Sequence, residues 1–587
     1  MTGRRLCGGL MAVLGLSCAC GDRSRPSIDL TRIPEAWSVT AIEQPMRGMA
    51  SDGEPGDATG APAFHPGERL LFELALPPGS RLEGEVSFRL PAGTRIALSL
   101  VGEKALASVG EWATPAETGR QAFTVVTPDS ATFRGGVFSV AGGGETCGTV
   151  RVERLSVKSH AMPKRPSVIV LTLDTFRADH LSCISPDAPP TPTLDSLARE
   201  GAQFTRAVST SQATTPSHIS IMTGLYCFAH GVYQNSRGVS NQAVTMAELL
   251  KSNGYRTMAA VSVAHLNPEV SNLGQGFESF LPSRWPGPEG EPADVRTTEV
   301  IRALLRSPMD RRPLFLWIHY FDPHTPYTPP RSLPAPSREA GTGMVLYAQG
   351  MGLVRHDTTT GLVLDPYGEI SRYRGETAFL DREIGRLLRR LDAMGFMDRA
   401  VIAVVGDHGE GLGEHGVFFE HAGMYEPILN VPMIFCGRGV PRGTRVDARV
   451  STVSVLPTLL ALADVDDAPP SYGRDLLRLA SGTQNAGDDL IFSEAVTRRI
   501  CAAWEGSRKL IWVPGSKETD WTMPERVLFF DLASDPEESR NLLEGNEEAA
   551  KRLRDLWGEQ VRDPLVRLDA WEGSPDATRL KALGYVE

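Results

Sequence analysis

At 587 residues the chain exceeds what one hydrophobic core organises, so two or three folded units are expected. Its 41% hydrophobic and 22% charged residues are ordinary for a globular protein and exclude disorder over most of the length. A formal net charge of −11 opposes non-specific nucleic-acid binding, and no nucleic acid is expected among its partners.

The N-terminus reads as an export signal. Arg4-Arg5 precede a short apolar run from Leu6 to Leu16, and Ser17-Cys18-Ala19-Cys20-Gly21 closes it. That run is too short to remain in a bilayer as a spanning helix, so residues 1–20 read as a signal peptide that is cleaved within that segment rather than retained. Cysteine after a small residue resembles a bacterial lipoprotein site, although neither Cys18 nor Cys20 has leucine three residues before it. The lipoprotein reading places the chain at the cell envelope, periplasmic or on the outer surface, held to a membrane by a lipid anchor. An ordinary cleaved signal is the alternative.

Residues 21–66 are rich in Pro, Gly, Asp and Ser without a sustained period and read as a flexible tether. From 67 to 160 short apolar runs such as Leu70–Leu76, Gly84–Leu90 and Gln121–Val126 alternate with Pro-Gly-Ser clusters. That spacing predicts an antiparallel β-sandwich. Such a module either binds carbohydrate or acts as a spacer, and the sequence offers no aromatic platform for the first role.

Residues 165–485 alternate strands with amphipathic helices, the pattern of an α/β unit with a mostly parallel sheet flanked by helices. Ser167–Leu173 is an unbroken apolar and β-branched run, as in a buried parallel strand, and it ends in Asp174-Thr175. Helices are predicted at Leu194–Glu200, Met246–Lys251 and Phe379–Leu391, the last with Leu380, Ile384, Leu387, Leu388 and Leu391 on one face. The stretch from Pro330 to Tyr373 is poorly periodic and is expected to form a long surface loop. Val401–Val405 is a second buried run, ending in Gly406-Asp407-His408-Gly409-Glu410. Ligands of open α/β sheets gather at the carboxyl ends of the strands, so Asp174 and Asp407-His408 are placed to share one cation. The plainer alternative is that both aspartates cap the turns that follow.

The final segment, 486–587, reads as a small α+β subdomain. Leu510–Val513 and Val527–Leu532 look like paired strands, and Glu547–Arg562 looks helical. Five cysteines lie beyond the signal: Cys147, Cys183, Cys227, Cys436 and Cys501. Their odd number and irregular spacing imply no disulfide framework.

Thr214-Thr215-Pro216-Ser217 and Thr223-Gly224 resemble the signature of the sulfatase family, Cys/Ser-x-Pro-Ser-x-x-x-x-x-Thr-Gly. The blocks around Asp174, Trp317–Pro326 and Asp407-His408 follow in that family's order, as do the C-terminal strands and Leu583-Gly584-Tyr585-Val586. The resemblance implies an alkaline-phosphatase-like fold and one divalent cation (Ca²⁺, Mg²⁺, Mn²⁺ or Zn²⁺) on Asp174, Thr214, Asp407 and His408. It also implies a substrate-anion contact at His324 and a basic role near the leaving group at His421. His218 stands where many sulfatases carry arginine, and Leu225 and Ser262 also occupy positions that are often basic. Thr175 replaces a frequent second acid. Most consequentially, Thr214 occupies the nucleophile position, where a sulfatase needs the cysteine that becomes formylglycine.

A hydrated formylglycine attacks with one hydroxyl and expels sulfate through the other. Thr214 has one hydroxyl, so a sulfated threonine would need water to attack at sulfur, whereas a phosphorylated threonine is resolved by water or an acceptor alcohol. Coordination to a metal is one of the few ways to activate so weak a nucleophile. The alternative for Thr214 is a helix N-cap. Three readings follow. The first is a metal-dependent hydrolase of sulfate or phosphate esters that favours phosphoester or phosphonate chemistry. The second is a phosphotransferase modifying envelope glycans or lipids, and the third is an inactive glycan- or polyanion-binding protein. The substrate expected is a sulfated or phosphorylated glycan, lipid or small-molecule ester.

Overall fold

The computed structural model describes residues 165–570 apart from 285–289, 307–311, 331–364, 398, 467, 484–488, 496–499, 519–520 and 524, together with eight strands between 63 and 159. The signal, both candidate lipidation cysteines, most of the tether, Cys147 and the Leu583–Val586 tail lie outside the described residues.

The eight N-terminal strands form two antiparallel four-stranded sheets. Alternate residues Leu82, Val86 and Phe88 of one sheet and Ile96, Leu98 and Leu100 of the other are buried. That period of two is what a sandwich core requires.

In the second unit, in chain order, the elements are β1 (Val168–Leu173), α1 (Pro192–Glu200), β2 (Gly201–Val208), α2 (Thr214–Thr223), α3 (Met246–Ser252), β3 (Arg256–Ala260), β4 (Ser279–Leu281), α4 (Ala293–Arg306), β5 (Leu314–Tyr320), α5 (Pro366–Ala393), β6 (Val401–Gly406), α6 (Glu426–Leu429), β7 (Asn430–Gly437), β8 (Thr444–Ser451) and α7 (Val455–Leu462). The eight strands make one sheet in the order β4-β3-β5-β1-β6-β7-β2-β8. Only β7 runs against the others. Side chains of β1 alternate between two cores: Val168 and Val170 face α2, α3 and α7, while Ile169, Leu171 and Leu173 face α1, α4 and α5. Burial on both faces explains why β1 and β6 read as continuous apolar runs.

Two expectations change. The segment after Pro330 is not loop throughout to Tyr373, because α5 begins at Pro366, with Asp365 accepting from the backbone N–H of Gly368 as its N-cap. Its first turns lack an apolar period because they bury Glu369 and Tyr373 rather than aliphatic residues. Thr214, in turn, is the first residue of α2 and not its cap: Ala213 holds that position in an extended conformation and makes no side-chain capping bond.

Four C-terminal strands, β9 (Ile491–Ala495), β10 (Ile500–Glu505), β11 (Arg508–Val513) and β12 (Arg526–Asp531), form an antiparallel sheet in that order, and α8 (Glu547–Arg562) packs on β10 and β11. The pairing of β11 with β12 and the bounds of α8 match the sequence reading. Cys183, Cys227, Cys436 and Cys501 are free thiols. No helix among the described residues is long and apolar enough to cross a membrane.

Candidate active site

The site is assembled by adjacent strands. β1 and β6 pair in parallel with Leu173 beside Gly406, so Asp174 and Asp407 leave the sheet side by side at its carboxyl edge. Between them and α2, a hydroxyl network fixes the loop: Ser209 Oγ donates to the carbonyl of Asp407 and lies 2.7 Å from Ser217 Oγ. All ten residues of α2 are buried, and Gly224 ends the helix in a left-handed conformation (φ 70°). The first turn of α2 therefore cannot slide relative to the strand ends.

Asp174, Thr214, Asp407 and His408 converge there, all buried. Each carboxylate has one oxygen tied to the protein and one bare. Asp174 Oδ2 accepts from His319 Nε2 at 3.2 Å, and Asp407 Oδ1 accepts from the backbone N–H of His408 at 2.7 Å. Asp174 Oδ1 and Asp407 Oδ2 are buried without any hydrogen bond. Both oxygens lie 3.6 Å from His408 Nε2, which is 3.3 Å from Thr214 Oγ1. His408 Nδ1 donates to the carbonyl of Gly409 at 3.1 Å, which leaves the Nε2 lone pair directed at the same point. A metal-ligating histidine is held in this way, with its other ring nitrogen on a carbonyl.

The electrostatics are those of a charge waiting for a partner. Burial pushes the Asp174 carboxyl up to about 7, against some relief from His324, and burial plus the neighbouring Asp174 drives Asp407 well above its ordinary range. Burial holds the His408 imidazole well below its usual value, with His421 adding to the effect. Two bare carboxylate oxygens and a neutral imidazole nitrogen with one hydroxyl fit a divalent cation such as Zn²⁺ or Mn²⁺. Bound there, it would supply a Lewis acid that acidifies a coordinated hydroxyl and neutralises an oxyanion.

The other predicted residues divide. His324 and His421 are partly exposed at the same opening: the His421 ring lies 4.6 Å from that of His408 and 5.7 Å from that of His324. His324 Nδ1 donates to the carbonyl of Thr325 at 2.7 Å, which leaves its Nε2 uncommitted. Burial and the His324 ring pull His421 below the imidazole range. His218 points inward instead. Its Nδ1 donates to the carbonyl of Thr214 at 2.7 Å and its Nε2 accepts from Thr172 Oγ1 at 2.9 Å, so neither nitrogen is free for a substrate. Thr172 in turn accepts from the indole of Trp317 at 3.0 Å. A cation on His218, His319 and Asp407 would compete with the hydrogen bonds both imidazoles already make.

As lone histidines in the chain, His319 and His230 read most simply as structural residues. That holds for His230, which bridges Ser220 Oγ and the backbone N–H of Val232. His319 is different, because it orients Asp174. Its signal was the strand parity of β5, which puts it on the same face as Trp317, but the register of β5 beside β1 is not visible in a sequence. Glu410 accepts from Tyr327 at 3.1 Å, and Glu414 pairs with Arg177, which also reaches the Glu410 carbonyl.

Comparison with known proteins agrees with this geometry. Residues 166–465 match the Sulfatase family model. The ulvan-active sulfatase of Formosa agariphila is 23% identical over 418 residues, spanning 66% of this chain and 79% of that protein. A structure bound to its substrate D-glucosamine-2-N,6-O-disulfate superposes with a TM-score of 0.55 at 20% identity, covering 68% of this chain and 99% of the other. The phosphonate monoester hydrolase of Agrobacterium radiobacter superposes with a TM-score of 0.53 at 20% identity, covering 68% and 95%. The chain belongs to the sulfatase family, as an ester hydrolase of the alkaline-phosphatase superfamily.

Proposed function

We propose that this chain is a metal-dependent ester hydrolase that uses Thr214 as its nucleophile and turns over phosphate or phosphonate esters better than sulfate esters. The carrying observation is the threonine hydroxyl 3.3 Å from His408 Nε2, in front of two bare carboxylate oxygens. Asp174, Asp407 and His408 hold the cation, with Thr214 completing the set. Thr214 Oγ1 attacks the phosphorus or sulfur centre from the first turn of α2, where backbone N–H groups and the helix dipole favour an anion. His324 donates an Nε2–H to the anion. His421, neutral while no anion is beside it, takes up a proton as the anion binds and passes it to the departing alcohol. His218 keeps the carbonyl of Thr214 in place from behind. Water then attacks the phosphorylated threonine and regenerates the hydroxyl; an acceptor alcohol at the same step makes the chain a phosphotransferase. A threonyl sulfate has no second hydroxyl to expel sulfate.

The substrate class is an anionic ester of a glycan, lipid or small molecule. Glycan chemistry is supported by relatives named for ulvan and for a glucosamine disulfate, and phosphonate chemistry by the fold shared with a phosphonate monoester hydrolase. The test is relative kcat/KM on matched aryl sulfate, phosphate monoester, phosphodiester and phosphonate substrates. Phosphorus esters should lead, and Thr214→Ala should lose at least about a hundredfold in kcat. A clear sulfate preference, or full activity in Thr214→Ala, overturns the reading.

The cell-envelope location belongs to the same proposal. Residues 1–19 are removed and the mature chain starts at lipid-modified Cys20, or alternatively at Cys18. Mass spectrometry of the mature N-terminus checks this; an unmodified terminus beyond Cys20 leaves plain secretion.

A further inference from the structure

The loop that carries Asp407 and His408 is held from below by α6, and α6 is held by the C-terminal sheet. Gly409, one residue past His408, donates its N–H to the carbonyl of Ile428 at 2.6 Å. Leu429 accepts from the N–H of Ser209, whose hydroxyl donates to the carbonyl of Asp407. Both contacts reach the metal loop from a four-residue helix too short to be stable alone.

The first residue of that helix, Glu426, is the point at which three parts of the molecule meet. Its Oε2 accepts from Arg449 on β8 at 2.9 Å. Its Oε1 accepts from Lys509 Nζ on β11 at 3.1 Å and from the indole of Trp504 on β10 at 3.1 Å. Its backbone N–H donates to Glu538 Oε2 at 2.7 Å, while Glu538 Oε1 lies 2.6 Å from Lys509 Nζ. Lys509 and Glu538 are fully buried, Lys509 lies over the Trp504 ring at 4.8 Å, and Glu538 adopts a positive φ of 55°. A bulky residue tolerates that conformation only where its surroundings impose it. A buried lysine held between two carboxylates is costly unless each bond is kept, which fixes the geometry of the junction.

We propose that Lys509, Glu538 and Glu426 act as positioning residues for the metal loop: the C-terminal sheet sets the placement of Asp407 and His408 through α6. The inference rests on the cation site of the proposed function. Neither Lys509 nor Glu538 touches the reacting atoms. They act on α6, which in turn holds the backbone of the loop.

The experiment uses the full mature chain, stripped of metal, and titrates Mn²⁺, Zn²⁺ and Ca²⁺ alone by calorimetry to find the ion the wild type binds. Lys509→Met and Glu538→Gln are compared with Lys509→Arg and with Arg552→Gln, which breaks only an exposed pair with Glu505 in the same subdomain. Lys509→Met and Glu538→Gln should weaken the cation Kd about 10- to 100-fold, the range for removing partners that orient metal ligands. Their metal-free melting temperatures should fall, as breaking a buried charge cluster requires. At the assay temperature their metal-free circular-dichroism spectra should still match that of Arg552→Gln, so that weaker binding is not unfolding. Lys509→Arg should recover most of the affinity, and activity should return at saturating cation. Should Lys509→Met fail to fold, Glu538→Gln, which keeps an acceptor for the Glu426 N–H, decides alone. Wild-type cation affinity in the folded variants overturns the positioning role. No cation binding by the wild type overturns instead the metal reading beneath it.

Discussion

Asp174 and Asp407 were legible from sequence as strand-end carboxylates, and Thr214 from its spacing to Pro216-Ser217 and Thr223-Gly224. The manner in which each is prepared was not legible. A sequence shows that Asp407 precedes His408, but not that one Asp407 oxygen is used by the His408 N–H while the other stays bare. His218 reads like a candidate for the anion because it follows Pro-Ser, yet its nitrogens are consumed by Thr172 and the Thr214 carbonyl. The contrast defines a prediction: Asp407→Ala, assayed by elemental analysis of the purified protein, should retain less than about a tenth of the wild-type metal, because removing a charged ligand costs several times more than a neutral hydrogen bond. Full occupancy in that variant would remove Asp407 from the site.

At the scale of elements, β1 and β6 announced themselves because burial on both faces demands continuous apolar runs. α5 announced only its second half, since its first turns bury a carboxylate and a tyrosine phenol in a polar seam beside the site: Tyr373 donates to the carbonyl of Thr175 at 2.8 Å and accepts from the N–H of Arg177 at 3.1 Å. α6 could not be foreseen at all, because four residues carry no period. Its closeness to the loop of Asp407 and His408 shows at Gly409, where an added Cβ would fall 2.1 Å from the carbonyl oxygen of Pro427. Backbone cannot yield as a flexible side chain does. Gly409→Ala should therefore displace the loop, weakening cation affinity at least about tenfold, while far-ultraviolet circular dichroism stays that of the wild type. Unchanged affinity would show that the loop is free to move away from α6.

For the whole molecule the consequence lies in proton linkage. Burial raises Asp174 to about 7 and Asp407 in the same direction. A carboxyl whose folded pKa is raised favours the fold below its unfolded value of about 4, and that contribution is lost as pH climbs through about 7. The imidazoles of His218, His319 and His408 are depressed, so they oppose the fold as pH falls through the ordinary imidazole range. These two trends act against each other in the cation-free protein. The increment given by a cation is cleaner, because the cation must displace protons from the carboxylates and competes poorly below about pH 7. Thermal melts with and without saturating cation should show an increment that grows from pH 5 to pH 8. A constant increment across that range would mean the carboxylates are already ionised without it.

A relay of hydrogen bonds runs from Trp317 through Thr172 and His218 to the carbonyl of Thr214, with the Thr172 hydroxyl nearer His218 at 2.9 Å than the Ile318 carbonyl at 3.5 Å. The indole and imidazole protons are each committed to a partner, and the Thr172 hydroxyl donates to His218. The Trp317 indole is fully buried and three hydrogen bonds from Thr214. Its proton therefore exchanges slowly with solvent and gives a distinct magnetic-resonance line. Whatever bends the first turn of α2, whether a cation, a bound ester or a phosphoryl group on Thr214, moves the carbonyl at the far end of the relay and shifts that line. The protein thus carries its own listening post for the state of Thr214, without a label and without a chromogenic substrate.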